Sequence, residues 1–233
     1  MNIFKNYKIR WLNCYLIFLI TPLLFLQLSC KNNNPLHPLI VTKEDSLFKK
    51  VFIKRAFASI DLLKKSIQAG DIITRTGNDF TSESLRSLNR RDKTYSHCGI
   101  AVFENDSLFI YHAIGGEWNP DEKLKKEPYE LFAEPYSNRG IGIFRFDLPA
   151  TSRELMVKVA NKHYQKGLPF DMDFDLITND RMYCAEFIYK TIMEASGNQL
   201  VFNTSRIGQF IFVGVDDIFL QPFCKKVAQV VFK

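Results

Sequence analysis

Asp180-Arg181-Met182-Tyr183-Cys184-Ala185-Glu186-Phe187-Ile188-Tyr189-Lys190-Thr191-Ile192-Met193-Glu194-Ala195-Ser196-Gly197 is the stretch from which the rest of the chain is read. From Cys184 onward the apolar positions fall at Cys184, Phe187, Ile188, Thr191, Ile192 and Ala195, the spacing of a helix with one buried face. Gly197 supplies its stop. The residues before Cys184 are polar, which puts the cysteine in the first turn, where unpaired N–H groups and the positive end of the helix dipole favour thiolate over thiol. A cysteine there is either a small core residue or a nucleophile. Glu186 reads as a first-turn acid that stabilises the dipole, and Tyr183 as either a core residue or part of a substrate site.

Working outward toward the N-terminus, two strands are predicted, Ser96 to Phe103 and Leu108 to Ala113, joined by the turn formers Glu104-Asn105-Asp106-Ser107. An even loop centred on Asn105-Asp106 makes Glu104 face Ser107. It then makes His112 face Gly99 and lie diagonal to His97, so both imidazoles point to one side of the sheet. Gly99 leaves room for the His112 ring. Two same-face histidines and a helix-start cysteine are what thiol catalysis requires: a nucleophile, a base, and a group to orient the base. Each histidine alone reads as a half-buried polar residue. Zinc held by His97, His112 and Cys184 is a rival reading, with Cys98 alternating away as an unsuitable fourth ligand. His163 falls on the apolar stripe of a helix and reads as core.

The remaining elements are read more simply. Thr42-Lys43-Glu44-Asp45 caps a long amphipathic helix extending to residue 69, with a membrane-lying helix as the alternative because of Lys49, Lys50, Lys54, Arg55, Lys64 and Lys65. Gly70-Asp71 opens a short strand, Thr81 to Leu88 a short helix, and Arg139 to Phe146 another strand. Thr151-Ser152-Arg153-Glu154 is expected to cap a helix closed by Gly167, and Val227 to Phe232 to form the closing strand. Asp171, Asp173 and Asp175 fall short of a calcium loop, since Leu176 and Met182 stand where glycine and glutamate are needed. Helices flanking a largely antiparallel sheet make an α+β fold in one domain over 42–233.

Composition bounds the setting. The 233 residues carry 31 Lys+Arg and 25 Asp+Glu. Residues 1–29 contain Lys5, Lys8 and Arg10, then the apolar run Tyr15 to Leu26 and no acid, which reads as a secretory signal rather than a membrane span. Without them the net charge is +3, so the basic balance implies no nucleic-acid partner. Cys30 after Leu28-Ser29 resembles the lipidation cysteine of a bacterial lipoprotein, although Gln27 stands where an aliphatic residue is usual. Residues 30–41 then read as the lipidated cysteine and its linker, and the protein as membrane-anchored in the envelope. Beyond Cys30 remain Cys98, Cys184 and Cys224, an odd number, with Cys184 expected to be unpaired.

Several motifs together resemble the YiiX-like permuted papain-like amidases, a circularly permuted branch of the NlpC-type cysteine peptidases related to lecithin retinol acyltransferase. They are Gly70-Asp71, Ser96-His97-Cys98-Gly99-Ile100, Tyr111-His112-Ala113, Leu168-Pro169-Phe170-Asp171 and Tyr183-Cys184-Ala185-Glu186, which span residues 70 to 197. His112 stands where that group usually has glutamate and is more like the acyltransferases; Ala185 replaces a usual serine. The resemblance implies a permuted papain-like fold and a Cys184–His97–His112 triad acting through an acyl-enzyme. No cofactor or metal is expected, and the Cys184 N–H at the helix start, Tyr183 and Gly99 are the candidates for the oxyanion or substrate site. An amide in peptidoglycan peptides is the expected substrate bond. A lipid acyl hydrolase or acyltransferase and a non-catalytic binding lipoprotein are the alternatives.

Overall fold

The computed structural model describes residues 43–232 apart from 117 and 118. The expected signal segment, Cys30 and its linker lie outside the described residues. Six strands form one antiparallel sheet, in the order β4-β3-β2-β1-β5-β8. These are β1 (Ile72–Gly77), β2 (His97–Glu104), β3 (Ser107–His112), β4 (Lys125–Pro128), β5 (Asn138–Phe146) and β8 (Cys224–Val231). A separate small hairpin pairs β6 (Ser205–Ile207) with β7 (Phe210–Phe212). Helices α1 (Lys43–Lys64), α2 (Phe80–Leu88), α3 (Tyr129–Phe132), α4 (Ala150–Lys166), α5 (Cys184–Ala195) and α6 (Val215–Phe219) complete the described chain. The architecture is α+β, as expected, and among the described residues no helix is long and apolar enough to cross a membrane.

Alternation along the strands splits the core in two. Ile72, Cys98, Ile100, Tyr111, Phe144 and Phe146 face α4 and α5, while Ile73, Ala101, Ile110, Ile141 and Ile143 face Ile60 and Leu63 of α1 with Tyr129 and Phe132 of α3. Period-two side chains demand this division in a sheet covered on both sides. At the start of β1, Asp71 is sealed from solvent and receives two hydrogen bonds from the Arg145 guanidinium, at 2.7 and 2.8 Å, and one from the Gln68 N–H. The Gly70-Asp71 motif is therefore a buried clamp between β1 and β5. Burial of that carboxylate is tolerated because its oxygens are met by a planar fork of donors.

The β2–β3 hairpin has the even register expected: Glu104 faces Ser107 and Ile100 faces Tyr111. Its two turn residues, Asn105 and Asp106, have φ of 47° and 63°, the pair of left-handed conformations that a type I′ turn needs and that Asn and Asp tolerate. Two local expectations are corrected. Helix α4 begins at Ala150 with Pro149 at its cap and no side-chain cap bond, so Thr151 to Glu154 is inside the helix rather than capping it. Proline's fixed φ sets the entry to this helix instead. Strand β4 was not expected, because Lys125-Lys126-Glu127-Pro128 shows no apolar alternation.

Candidate active site

The two histidines meet. His97 Nε2 lies 2.8 Å from His112 Nδ1, and both rings pack on Phe132, at centroid distances of 5.7 and 5.2 Å. The neighbouring edge strand adds a residue missed in the sequence: Glu127 Oε2 is 3.2 Å from His112 Nε2. Glu127 faces Ile110 across the β3–β4 ladder, which sets its side chain on the histidine side of the sheet. Its contact with His112 and the nearby cations Arg75 and Lys125 hold its carboxyl below the ordinary range, so it is ionised at neutral pH.

This carboxylate decides the tautomers of the chain. The Glu127–His112 contact is a 3.2 Å approach whose N–H is not aligned for a hydrogen bond, but a carboxylate there favours the proton on His112 Nε2; with that tautomer Nδ1 accepts, His97 Nε2 donates, and His97 Nδ1 keeps a free lone pair. That nitrogen has no hydrogen-bond partner among the described residues and is not sealed from solvent. Burial, Arg75 and His112 push the His97 pKa well below its ordinary value, and burial lowers that of His112 despite Glu127. Both rings are therefore neutral at pH 7, as a resting base must be.

Cys184 begins α5, buried at 9% exposure, after Tyr183 at the cap. The Tyr183 N–H donates to Glu186 Oε2 at 3.1 Å, closing the helix start. The Cys184 thiol is shifted toward the thiolate first by the Cys98 thiol, against the penalty of burial, and further by the N–H groups of Cys98, Ala185 and Cys184 itself. The Cys98 thiol is pushed well above its ordinary value by burial and by this contact, so of the two sulfurs Cys184 is the one that ionises first. Sequence reading placed Cys98 away from the histidines, which holds. It missed that this direction leads to the Cys184 sulfur.

His97 is not among the hydrogen-bond partners of that sulfur. The physical reason is the sheet: His97 and His112 project to the α1 and α3 face, while α5 packs on the other. A strand's N–H lies in the plane of the sheet, between its two faces, and the Cys98 N–H is among the groups that lower the Cys184 pKa. The β2–β3 ladder stops at Ile100–Tyr111, two residues short of Cys98. The Cys184 charge is felt by Arg75, which faces His97 across the β1–β2 ladder.

Other expected site residues take different places. The Tyr183 hydroxyl accepts the Val213 N–H at 2.9 Å and its ring lies on Phe174, a packing position at 3% exposure. Gly99 serves the histidines rather than an oxyanion: a Cβ there would stand 2.5 Å from Ile110 Cγ2 and 3.0 Å from His112 Cβ. His163 is buried beside Phe187, in the core as expected. The aspartate loop is held by Asp171, which accepts the N–H groups of Asp173 and Asp175.

No family model matches the chain. It is homologous to the uncharacterized protein YiiX of Escherichia coli (strain K12), 26% identical over 150 residues that make up 64% of this chain and 68% of the relative. A crystal structure described as the metalloprotein yiiX from Escherichia coli O157:H7, DUF1105, aligns with a TM-score of 0.58 at 20% identity, covering 71% of this chain and 99% of that one. That likeness is one of fold.

Proposed function

We propose that the protein is a thiol hydrolase of the permuted papain-like type that cleaves an amide bond through Cys184, His97 and His112, with Glu127 as the orienting carboxylate. The observation that carries the reading is the Glu127–His112–His97 chain, with His112 Nε2 3.2 Å from Glu127 Oε2 and His97 Nε2 2.8 Å from His112 Nδ1, set opposite Arg75, whose guanidinium feels the Cys184 charge. In this reading His97 takes the thiol proton through Nδ1, and the thiolate attacks the carbonyl carbon. The Ala185 and Cys184 N–H groups at the helix start stabilise the oxyanion. Collapse of the tetrahedral adduct passes the proton from His97 to the leaving amine; water then resolves the acyl-enzyme by the same route.

The related structure's description as a metalloprotein does not transfer to these residues. His97 Nε2 and His112 Nδ1 point at each other and His112 Nε2 lies against Glu127, so these three nitrogens are not aimed at a common point. Among the described residues no group of three His, Cys, Asp or Glu side chains is placed to hold an ion. No step here runs through a metal.

The envelope setting, with Cys30 as a lipid anchor, belongs to the same proposal and rests on the sequence of residues 1–30. It puts peptidoglycan peptides within reach. The test is to incubate the full-length protein and its Cys184→Ala variant with muropeptides and, separately, with phospholipid vesicles. New amine from muropeptides with the wild type alone supports the proposal. Fatty-acid release favours the lipid acyl hydrolase instead, and an inert but saturable complex a binding protein.

A further inference from the structure

Arg75 is a cation without a counter-charge in contact. It faces His97 in the ladder, its guanidinium carbon lies 4.6 Å from the centre of the Phe132 ring, and Nη1 donates to the Phe132 carbonyl at 3.2 Å. Among the described residues it forms no ion pair, because Glu127, the nearest acid by its influence, is directed to His112. Its remaining N–H donors have no partner among the described residues, yet none is sealed from solvent. A guanidinium that is mostly buried and fixed on an aromatic face keeps its planar fork oriented while losing little side-chain freedom on binding. Such a fork matches one class of ligand, a planar two-oxygen anion.

We propose that Arg75 is an anion-binding residue that holds a carboxylate of the substrate beside Cys184, so that the amide cleaved lies next to a free carboxylate. The proposal rests on Cys184 being the nucleophile. Glu127 is turned to His112 rather than to Arg75, so the guanidinium fork meets no carboxylate of this chain among the described residues. Phe132 fixes both the cation and the two rings, so the anion site and the base are set by one side chain.

The experiment uses alkylating reagents that differ only in charge. The Cys184 thiolate displaces iodide from iodoacetate or iodoacetamide, forming a carbon–sulfur bond in either case. In the full-length wild type, iodoacetate is expected to label Cys184 with saturation and roughly tenfold faster than iodoacetamide after each is normalised to free cysteine, the scale of one charge-assisted contact. Arg75→Gln should return the ratio to that of free cysteine and remove saturation; Arg75→Lys, which keeps charge but not the fork, should fall between. The ratio cancels any change in thiolate fraction, which a merely structural role would move equally for both reagents. An unchanged ratio in a folded Arg75→Gln protein overturns the proposal.

A second arm does not depend on nucleophilicity. Succinate should raise the Tm of Cys184→Ala saturably and have no such effect on the Cys184→Ala, Arg75→Gln double variant; equal behaviour of the two also overturns the proposal. If iodoacetamide labels Cys98 or Cys224 ahead of Cys184, the nucleophile reading falls and the succinate arm alone decides the role of Arg75.

Discussion

Cys98 of β2 lies in the same buried cluster as Cys184 at the start of α5, and its thiol is the largest influence drawing the Cys184 thiol below its ordinary pKa. Cys98→Ala removes a donor from a buried thiolate and is expected to raise the pH midpoint of Cys184 alkylation. Cys98→Ser supplies a hydroxyl in its place and should restore most of the shift. Iodoacetamide rates between pH 5 and 10 measure both midpoints; identical midpoints in all three proteins would show that the contact does not control the sulfur.

Glu127→Gln tests the tautomer argument. An amide can turn either its oxygen or its NH2 to His112 Nε2, so the proton is no longer held there and the tautomer with His97 Nδ1 protonated, unable to accept, becomes populated. The kcat should fall at least ~10-fold, a barrier increase of about 1.4 kcal/mol, with little change in KM. His112→Asn should cost about 10²–10⁴-fold, the usual worth of general base catalysis. Thermal melts of both variants guard against misfolding as the cause. A Glu127→Gln enzyme of full activity would remove the carboxylate from the mechanism.

Gly99→Ala crowds the hairpin. The new methyl would meet Ile110 Cγ2, the Tyr111 carbonyl oxygen at 2.8 Å and His112 Cβ, two of which are parts of the backbone-fixed β3 register. Overpacking of this kind costs about 1–3 kcal/mol. Because His112 must shift, activity should drop more than stability alone predicts, measured by urea unfolding beside a turnover assay on the folded fraction.

Glu186 is sealed from solvent, and burial raises its pKa to about 7 even though Lys190 lies 2.7 Å away and Tyr183 N–H donates to it. Desolvation outweighs both partners. A raised acid pKa means that the folded state holds the proton more tightly than the unfolded one between about pH 4.5 and 7. Stability from this group therefore falls as pH rises through that window and is flat above it. Glu186→Gln keeps an acceptor for the cap and carries no charge. Its Tm relative to wild type should be higher at pH 8 than at pH 5, and a difference independent of pH would contradict the shift.

The hairpin was readable because its determinants are local. Asn105-Asp106 suits left-handed turn residues, and a two-residue loop fixes every facing pair from Glu104–Ser107 to Ile100–Tyr111, which brings His97 and His112 to one side. The α5 start was equally local, carried by the periodicity after Cys184. Glu127 escaped because Lys125 to Pro128 is held as a strand by β3 rather than by its own residues. Arg75 could have been found by extending the pairing logic to β1, where it stands opposite His97. The Cys98–Cys184 contact depends on how α5 packs against the sheet, which no local pattern encodes.

Strand β4 is four residues long and forms one edge of the sheet, with Lys125, Lys126 and Pro128 discouraging any further strand from adding there. The acid that dictates where the histidine protons reside thus belongs to the segment least anchored by neighbours. Peeling away of this margin would switch the chemistry off while the other five strands stay paired, so turnover should vanish at a lower urea concentration than the far-ultraviolet circular dichroism signal.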